Sequence, residues 1–462
     1  MRAFIASSIG VVCAAAAALP LSLPDDLTDS ASAAPASAPV PVTAPRLPGS
    51  TQSLPLVPLE PTPTTPTATP TGSPGSDSSD TVSLGLPARD VEPFALLGVV
   101  WNDPEEELHG QVQVRTRSAA DGDWTPWQDL EPHADAPDPA STERSGKGVR
   151  GGTAPLWVGD SDGVQVRAVP EKDEETGTVH ELPEGLRLEL VHPGDAPADD
   201  LTPQARASSE VNADLAPVGA HEIPAQDQEA SETNPSAVRG GTETVEAKAV
   251  EDEAGAEEAD TLAPIGPRPA IVTRRGWGAD ESIRGPFLYT NTVKVAFVHH
   301  TAMSNGYSCS QAPALIRGIY RYHVKSNGWR DVGYNFFVDK CGKIYEGRAG
   351  GVARPVMGAH TYGFNANSTG IAVLGSFNST NPSSAAVNAV SKIVAWKLGL
   401  HGVNPRGTAV MTSGGGKYAK GTQVRFHTVA GHRDGYVTDC PGGRLYAKLG
   451  TIRETAARLQ GR

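Results

Sequence analysis

Apolar positions change their spacing along the chain, and the changes predict where structure begins and ends. Behind Arg2 an apolar run extends from Ala3 to about Leu23, broken by serines and Pro20 and containing the small residues Ala14–Ala18. That pattern predicts a secretory signal over residues 1–24. An uncleaved anchor helix would need about 20 cleanly apolar residues, and no other stretch is long enough to span a bilayer. From Val82 to Pro193 the apolar residues fall in short runs, Phe94–Trp101, Gly110–Thr116, Val164–Pro170 and Leu186–Val191, parted by Asp, Gly, Pro and Asn. This predicts an all-β, sandwich-like domain over 82–193. Residues 267–462 alternate between the two periods. Lys294–His300, Thr369–Phe377 and Val424–Ala430 read as strands, and Tyr334–Val338 with Lys343–Glu346 as a hairpin around Asp339-Lys340-Cys341-Gly342. Gln311–Asn327, Ala385–Leu400 and Arg444–Leu459 read as helices, the first with Leu315, Ile319 and Tyr322 on one face and Ser308 or Ser310 to cap it. The expectation is an α/β domain with a mixed β-sheet flanked by helices.

Two stretches lack either period. Residues 25–81 are rich in Pro, Ser and Thr, with 12 prolines between Pro35 and Gly75, which predicts a disordered, partly polyproline stalk. Residues 194–266 are polar, acidic and nearly free of aromatics, which predicts a disordered linker.

Charge sharpens this partition. Of 462 residues, 53 are acidic and 39 basic, a net of −14. Residues 1–265 hold 45 acidic and 14 basic side chains, a net of −31, and residues 266–462 hold 8 and 25, a net of +17. An acidic part is therefore joined to a basic one, which suggests that the acidic linker contacts the basic domain in cis. A basic domain raises nucleic acid as a partner, but its Lys and Arg are scattered and no nucleic-acid motif accompanies them.

The candidate chemistry lies in the basic half. His299 and His300 end a strand, and His432 and Cys440 stand eight residues apart across a Gly- and Asp-containing loop. Two histidines and a cysteine suit tetrahedral zinc with a fourth position open for water. Neighbours on a strand face opposite ways, so one histidine of the pair should bind. A buried histidine and a buried cysteine without a metal are the plain alternative. His323 reads as a core or hydrogen-bonded histidine. Cys13 follows Val12, which is unsuited to lipoprotein processing; without the signal, Cys309, Cys341 and Cys440 remain in an oxidising compartment, an odd number. In the β domain, Trp124 and Trp127 beside Arg115 and Arg117 could stack on carbohydrate, or simply pack between strands.

Several motifs, in order, give the basic half its resemblance: Arg275-Gly276-Trp277-Gly278-Ala279, Val298-His299-His300-Thr301, Gly328-Trp329-Arg330-Asp331-Val332-Gly333-Tyr334-Asn335-Phe336, Gly358-Ala359-His360, Asn365 through Ile371, and His432 with Cys440. Over residues 274–458 the chain resembles the peptidoglycan recognition proteins, which share their fold with phage amidase-type lysozymes. The resemblance implies zinc ligands His299, His432 and Cys440; family members without this cysteine bind peptidoglycan without cutting it. It implies Tyr334 beside the metal, and Thr438 where the phage enzymes carry lysine, as catalytic residues. His360 and Asn365 would contact substrate, and Cys309 and Cys341 would form a disulfide, leaving Cys440 free. The implied protein is a secreted or wall-associated, monomeric N-acetylmuramoyl-L-alanine amidase with peptidoglycan as partner and no nucleic acid; the alternative is a non-catalytic peptidoglycan-binding protein.

Overall fold

The acidic half builds one antiparallel sheet. Its strands are β1 (Ser50–Pro55), β2 (Val57–Pro58), β3 (Leu84–Trp101), β4 (Gly110–Ser118), β5 (Gln128–Leu130), β6 (Gly151–Gly152), β7 (Leu156–Pro170) and β8 (Arg187–His192). They run in the order β1-β8-β3-β7-β4-β5, with β2 and β6 also paired to β3. The computed structural model describes residues 47–59, 82–132, 135–145, 148–173, 175–197, 201–233 and 264–462. The expected signal, most of the expected stalk and residues 234–263 of the expected linker lie outside them.

The stalk was expected to run to residue 81, but residues 50–58 are strands. Ser50–Pro55 pairs with β8, Leu56 enters the core of the sheet and Leu54 packs against it. On an edge strand Pro55 removes no ladder hydrogen bond that a central strand would need, so a proline-rich composition did not exclude pairing.

The run Phe94–Trp101 is apolar on both faces because both are buried. Phe94, Leu97, Val99 and Trp101 join Val112, Val164 and Leu188 in the sheet's own core. Ala95, Leu96 and Val100 enter a second core with Leu315, Ile316, Ile319 and Tyr322 of the basic half. Gly98 lies where a Cβ would meet the Tyr322 ring, and the Tyr322 hydroxyl donates to the Thr153 carbonyl at 3.1 Å. The two halves thus share a hydrophobic core.

The basic half is built on a mixed sheet of β9 (Glu222–Ile223), β10 (Ile271–Val272), β11 (Val295–His300), β12 (Phe336–Val338), β13 (Ile344–Glu346), β14 (Ser368–Val373) and β17 (Val429–Gly431), in the order β17-β11-β14-β12-β13-β10-β9. β17, β11, β14 and β12 are parallel, and β13 returns antiparallel to β12. The strand expected over Val424–Ala430 divides at Thr428: β16 (Gln423–His427) leaves to form a hairpin with β15 (Thr408–Thr412). Helices Ser384–Gly399 and Leu449–Leu459 pack on one face through Val390, Ile393, Ile452 and Ala456 against Ala296, Val298, Ile371 and Val373. Helix Ala312–Arg321 packs on the other face, against Phe337, Ala372 and Leu374.

Part of the expected linker is also folded. Thr202 caps helix Pro203–Glu210 by accepting from Ala205 N–H at 3.2 Å. Beyond it, β9 extends the mixed sheet and buries Ile223 completely. Asn212 donates to Glu346 and accepts from Val352 N–H, each at 2.9 Å. A polar segment with only a few apolar anchors orders here because the rest of the domain supplies the core they enter.

Candidate metal centre

Strand β11 is buried along its whole length, and its alternation sorts the histidine pair. Ala296 and Val298 face the two long helices, so His300 follows them, while His299 follows Phe297 to the opposite face. Both stand at the carboxyl end of a central parallel strand, where open α/β sheets place their sites. His300 accepts from Phe377 N–H at 3.3 Å. His299 meets His432, which opens the turn after β17, at 4.5 Å between ring centroids. The donor atoms of His299, His432 and Cys440 all lie within 4.8 Å of one another, and all three residues are buried.

The second nitrogen of His299 and the backbone set the orientation of these donors. His299 Nδ1 lies 3.8 Å from Cys440 Sγ, while Nε2 lies 3.5 Å from the Thr361 hydroxyl, where the outer partner of a metal-ligating imidazole would stand. His300 N–H donates to Cys440 Sγ at 3.4 Å, and Cys440 N–H donates to the Thr438 hydroxyl at 3.2 Å. Burial, and then the neighbouring His432, hold His299 well below the usual histidine range, so its imidazole is neutral. Burial, and then the Asp135 carboxylate, push the Cys440 thiol well up. Two imidazoles and a sulfur converging in a buried pocket fit a zinc ion.

The remaining expected residues divide. The Tyr334 hydroxyl reaches the same centre, where it donates to Asp135 at 2.5 Å. His360 is fully enclosed, with its ring 5.2 Å from His299 and its Nδ1 3.0 Å from the Thr361 hydroxyl; burial pushes its pKa down to about 3. Asn365 accepts from His360 N–H and Thr361 N–H at 2.7 and 2.9 Å, and its amide donates to the Ala136 carbonyl and the Asp138 carboxylate. Cys309 and Cys341 form a disulfide with their Cα atoms 6.3 Å apart, and Cys440 is free. His323 accepts from Gly333 N–H at 3.1 Å. Trp124 and Trp127 are half-buried, with Arg115 and Arg167 over their rings.

A family model for N-acetylmuramoyl-L-alanine amidase matches residues 289–443. Peptidoglycan-recognition protein SC2 of Drosophila melanogaster is 30% identical over 184 residues, 39% of this chain and 85% of that protein. The chain belongs to the peptidoglycan recognition protein family. This peptidoglycan recognition protein is also 30% identical over 200 residues to the human N-acetylmuramoyl-L-alanine amidase, covering 42% of this chain and 30% of that one. The solved structure of wild-type Drosophila PGRP-LB is 25% identical, covers 39% of this chain and 92% of its own, and has a TM-score of 0.32. A second model, the Rv3811 N-terminal galactose-binding domain-like family, matches residues 45–187.

The residues that sequence reasoning missed come from the β domain of this peptidoglycan recognition protein. Asp135 lies 3.5 Å from His299 Nδ1 and 3.3 Å from His432 Nδ1. Asp138 accepts from Gly363 N–H and from the Asn365 amide at 2.8 and 2.7 Å. Glu143 is gripped at both oxygens by Arg348, at 2.8 and 2.9 Å, and accepts from Arg330 N–H. These residues lie in the connection between β5 and β6, which is long for a link between strands; its length was the available signal.

Proposed function

We propose that this protein is a secreted zinc-dependent amidase that hydrolyses the bond between the lactyl group of N-acetylmuramic acid and L-alanine in peptidoglycan. The observation that carries the reading is the convergence of His299, His432 and Cys440 in one buried pocket with the Tyr334 hydroxyl. A zinc ion supplies Lewis acidity for amide hydrolysis at neutral pH. His299 and His432 act as neutral donors, and Thr361 fixes the His299 ring. Thr438, by accepting from Cys440 N–H, is a positioning residue for the thiolate loop. Tyr334 is held protonated, since burial and then Asp135 push its pKa well above the usual range, so it can donate to the carbonyl oxygen as that atom gains charge. His360 and Asn365 shape the wall of the groove around the scissile bond. The +17 of residues 266–462 draws the domain to an anionic wall.

To test this, the full chain and its Asp135→Ala variant are incubated with purified peptidoglycan, and newly freed L-alanine amino termini are counted, with and without a chelator. Release that stops on chelation and on Cys440→Ser supports the reading. If neither protein frees these termini, it fails, and binding without cleavage would make this a recognition protein only.

Among the described residues no helix is long and apolar enough to cross a membrane.

A further inference from the structure

Between β5 and β6 the chain leaves its own sheet and crosses the basic half. From Glu131 to Glu143 it carries four carboxylates and three prolines and no Lys or Arg, the composition of an extended acidic peptide. Each carboxylate meets a group of the basic half. Glu131 lies 3.6 Å from His300 Nε2, and Asp135 accepts from Tyr334. Asp138 takes the amides of Gly363 and Asn365, and Glu143 is paired with Arg348. Asp135, Asp138 and Glu143 are buried.

The position of Asp135 is the informative one. Four donors around one zinc ion at bond lengths of about 2.0–2.3 Å stand about 3.3–3.6 Å from each other at tetrahedral angles. Asp135 Oδ1 stands 3.5 Å from His299 Nδ1 and 3.3 Å from His432 Nδ1, and Cys440 Sγ stands 3.8 Å from His299 Nδ1. Asp135 Oδ1 thus stands at the spacing of a shared coordination sphere from both imidazoles, and Cys440 Sγ lies slightly farther from His299. A catalytic zinc site keeps a position open, whereas a site with four protein ligands is closed.

We propose that Asp135 is the fourth ligand of the metal site, and that residues 135–143, with Glu131, are a built-in occupant of the substrate groove which keeps the enzyme latent. The proposal rests on the metal-site reading above. The segment takes the same groups that the reading assigns to substrate: Asp135 holds the Tyr334 hydroxyl, and Asp138 holds the Asn365 amide. Its row of carboxylates imitates those of a stem peptide, which would compete for the same donors. Activity then requires the segment to leave, and a wall polymer rich in such peptides is the competitor its chemistry suggests.

The test uses the full chain loaded with cobalt(II) in place of zinc, whose visible spectrum reports coordination, titrated with acetohydroxamate as a small metal-seeking probe. The wild type should not respond, while Asp135→Ala should show a saturable spectral shift and lose its metal to a chelator at least tenfold faster. The double variant Asp138→Asn with Glu143→Gln leaves all four donors in place and loosens only the segment; it should respond to the probe at least tenfold more strongly than the wild type. A wild type that binds the probe as readily as Asp135→Ala overturns the proposal, as does a folded double variant that responds no better than the wild type. The readout is separate from wall cleavage. If Asp135→Ala opens the metal to the probe but frees no L-alanine termini, the latch stands and the amidase reading falls; a wild type that binds the probe as readily as Asp135→Ala and frees those termini gives the reverse.

Discussion

If the two halves share one core, a change on one side must be felt through the other, and the contact between Gly98 and Tyr322 allows this to be measured. A Cβ added at Gly98 would lie within 2.7 Å of the Tyr322 Oη, Cζ and Cε2 atoms, and Tyr322 is fully buried. Gly98→Ala should therefore cost about 1–3 kcal/mol in overpacking. If the ring is driven off the Thr153 carbonyl, the broken bond adds a further ~1–3 kcal/mol. Tyr322→Ala alone should cost about 3–5 kcal/mol, as for other large buried rings. In the double variant the clash is gone and the new methyl fills part of the void, so the combined loss should fall short of the sum by about 1–3 kcal/mol. Urea unfolding of the full chain and three variants, followed by tryptophan fluorescence and by far-ultraviolet circular dichroism, supplies the cycle. Losses that add to within ~0.5 kcal/mol, or a β sheet that unfolds in a separate transition from the basic half, would refute the shared core.

Three further outcomes follow from buried charge and from the charge partition. Arg274 is buried between Glu281 and Asp331 at 2.6 and 3.1 Å, so Arg274→Leu strands two carboxylates and should destabilise the chain by about 3–5 kcal/mol in denaturant titration. Lys397 is buried with its ammonium on the carbonyls of Val352 and Arg354, and burial pushes its pKa down to about 7. Between about 7 and the usual 10.5 the unfolded chain binds the extra proton, so this group's contribution to stability rises with pH across that window. Relative to the wild type, Lys397→Met should therefore be more stabilised at pH 6 than at pH 9 in paired melting curves, and a difference independent of pH refutes the assignment. Binding of the full chain to isolated walls should weaken steeply towards about 1 M salt, where charges are screened beyond about 3 Å; a flat salt dependence in a pelleting assay would show that the +17 does not attract the wall.

The parts of the molecule legible in the sequence were those where local pattern and burial coincide. The alternation in β11 set His299 and His300 on opposite faces without saying which one enters the site, and the hairpin around Asp339–Gly342 formed as its turn residues required. Helix Gln311–Asn327 was legible in its apolar face but not in its end, which becomes a π-helical turn at Tyr322–Ser326 where Tyr322 turns towards Thr153 of the β domain. That turn answers a partner distant in sequence, and no window along the chain contains it. Asp135 was illegible for the same reason. An aspartate in a proline-rich connection looks solvated, and only the docking of the two halves brings it to His299 and His432. The convergence of His299, His432 and Cys440 was legible because the resemblance supplied it; from spacing alone, which of His299 and His300 takes part stayed open.

The acidic contact proposed from composition shows how docking changes an electrostatic argument. If the acidic linker restrained the basic half through that contact, deleting residues 194–262 of it should free the basic half for the wall. That deletion would remove Ile223, fully buried at the edge of the mixed sheet, together with Asn212, whose amide donates to the buried carboxyl of Glu346. Glu346 already has its pKa pushed up to about 7 by burial, so losing this donor leaves it with less to offset its desolvation. Deleting 194–262 should therefore destabilise the domain by several kcal/mol, whatever it does to charge. Deleting residues 234–262 alone is a different perturbation. Ile265 N–H lies 3.3 Å from the Glu232 carboxylate, so the two ends of the connection already sit together, and a twofold change in the length of a connection changes its closure cost by only about 0.6 kcal/mol. A short Gly-Ser bridge in place of 234–262 should keep the melting temperature within a few degrees of the wild type and leave the cobalt site closed to acetohydroxamate, because the carboxylates held in the groove are those of 131–143. If this bridged variant instead opens the site, the restraint resides in the acidic connection, and the composition argument was right about which segment carries it.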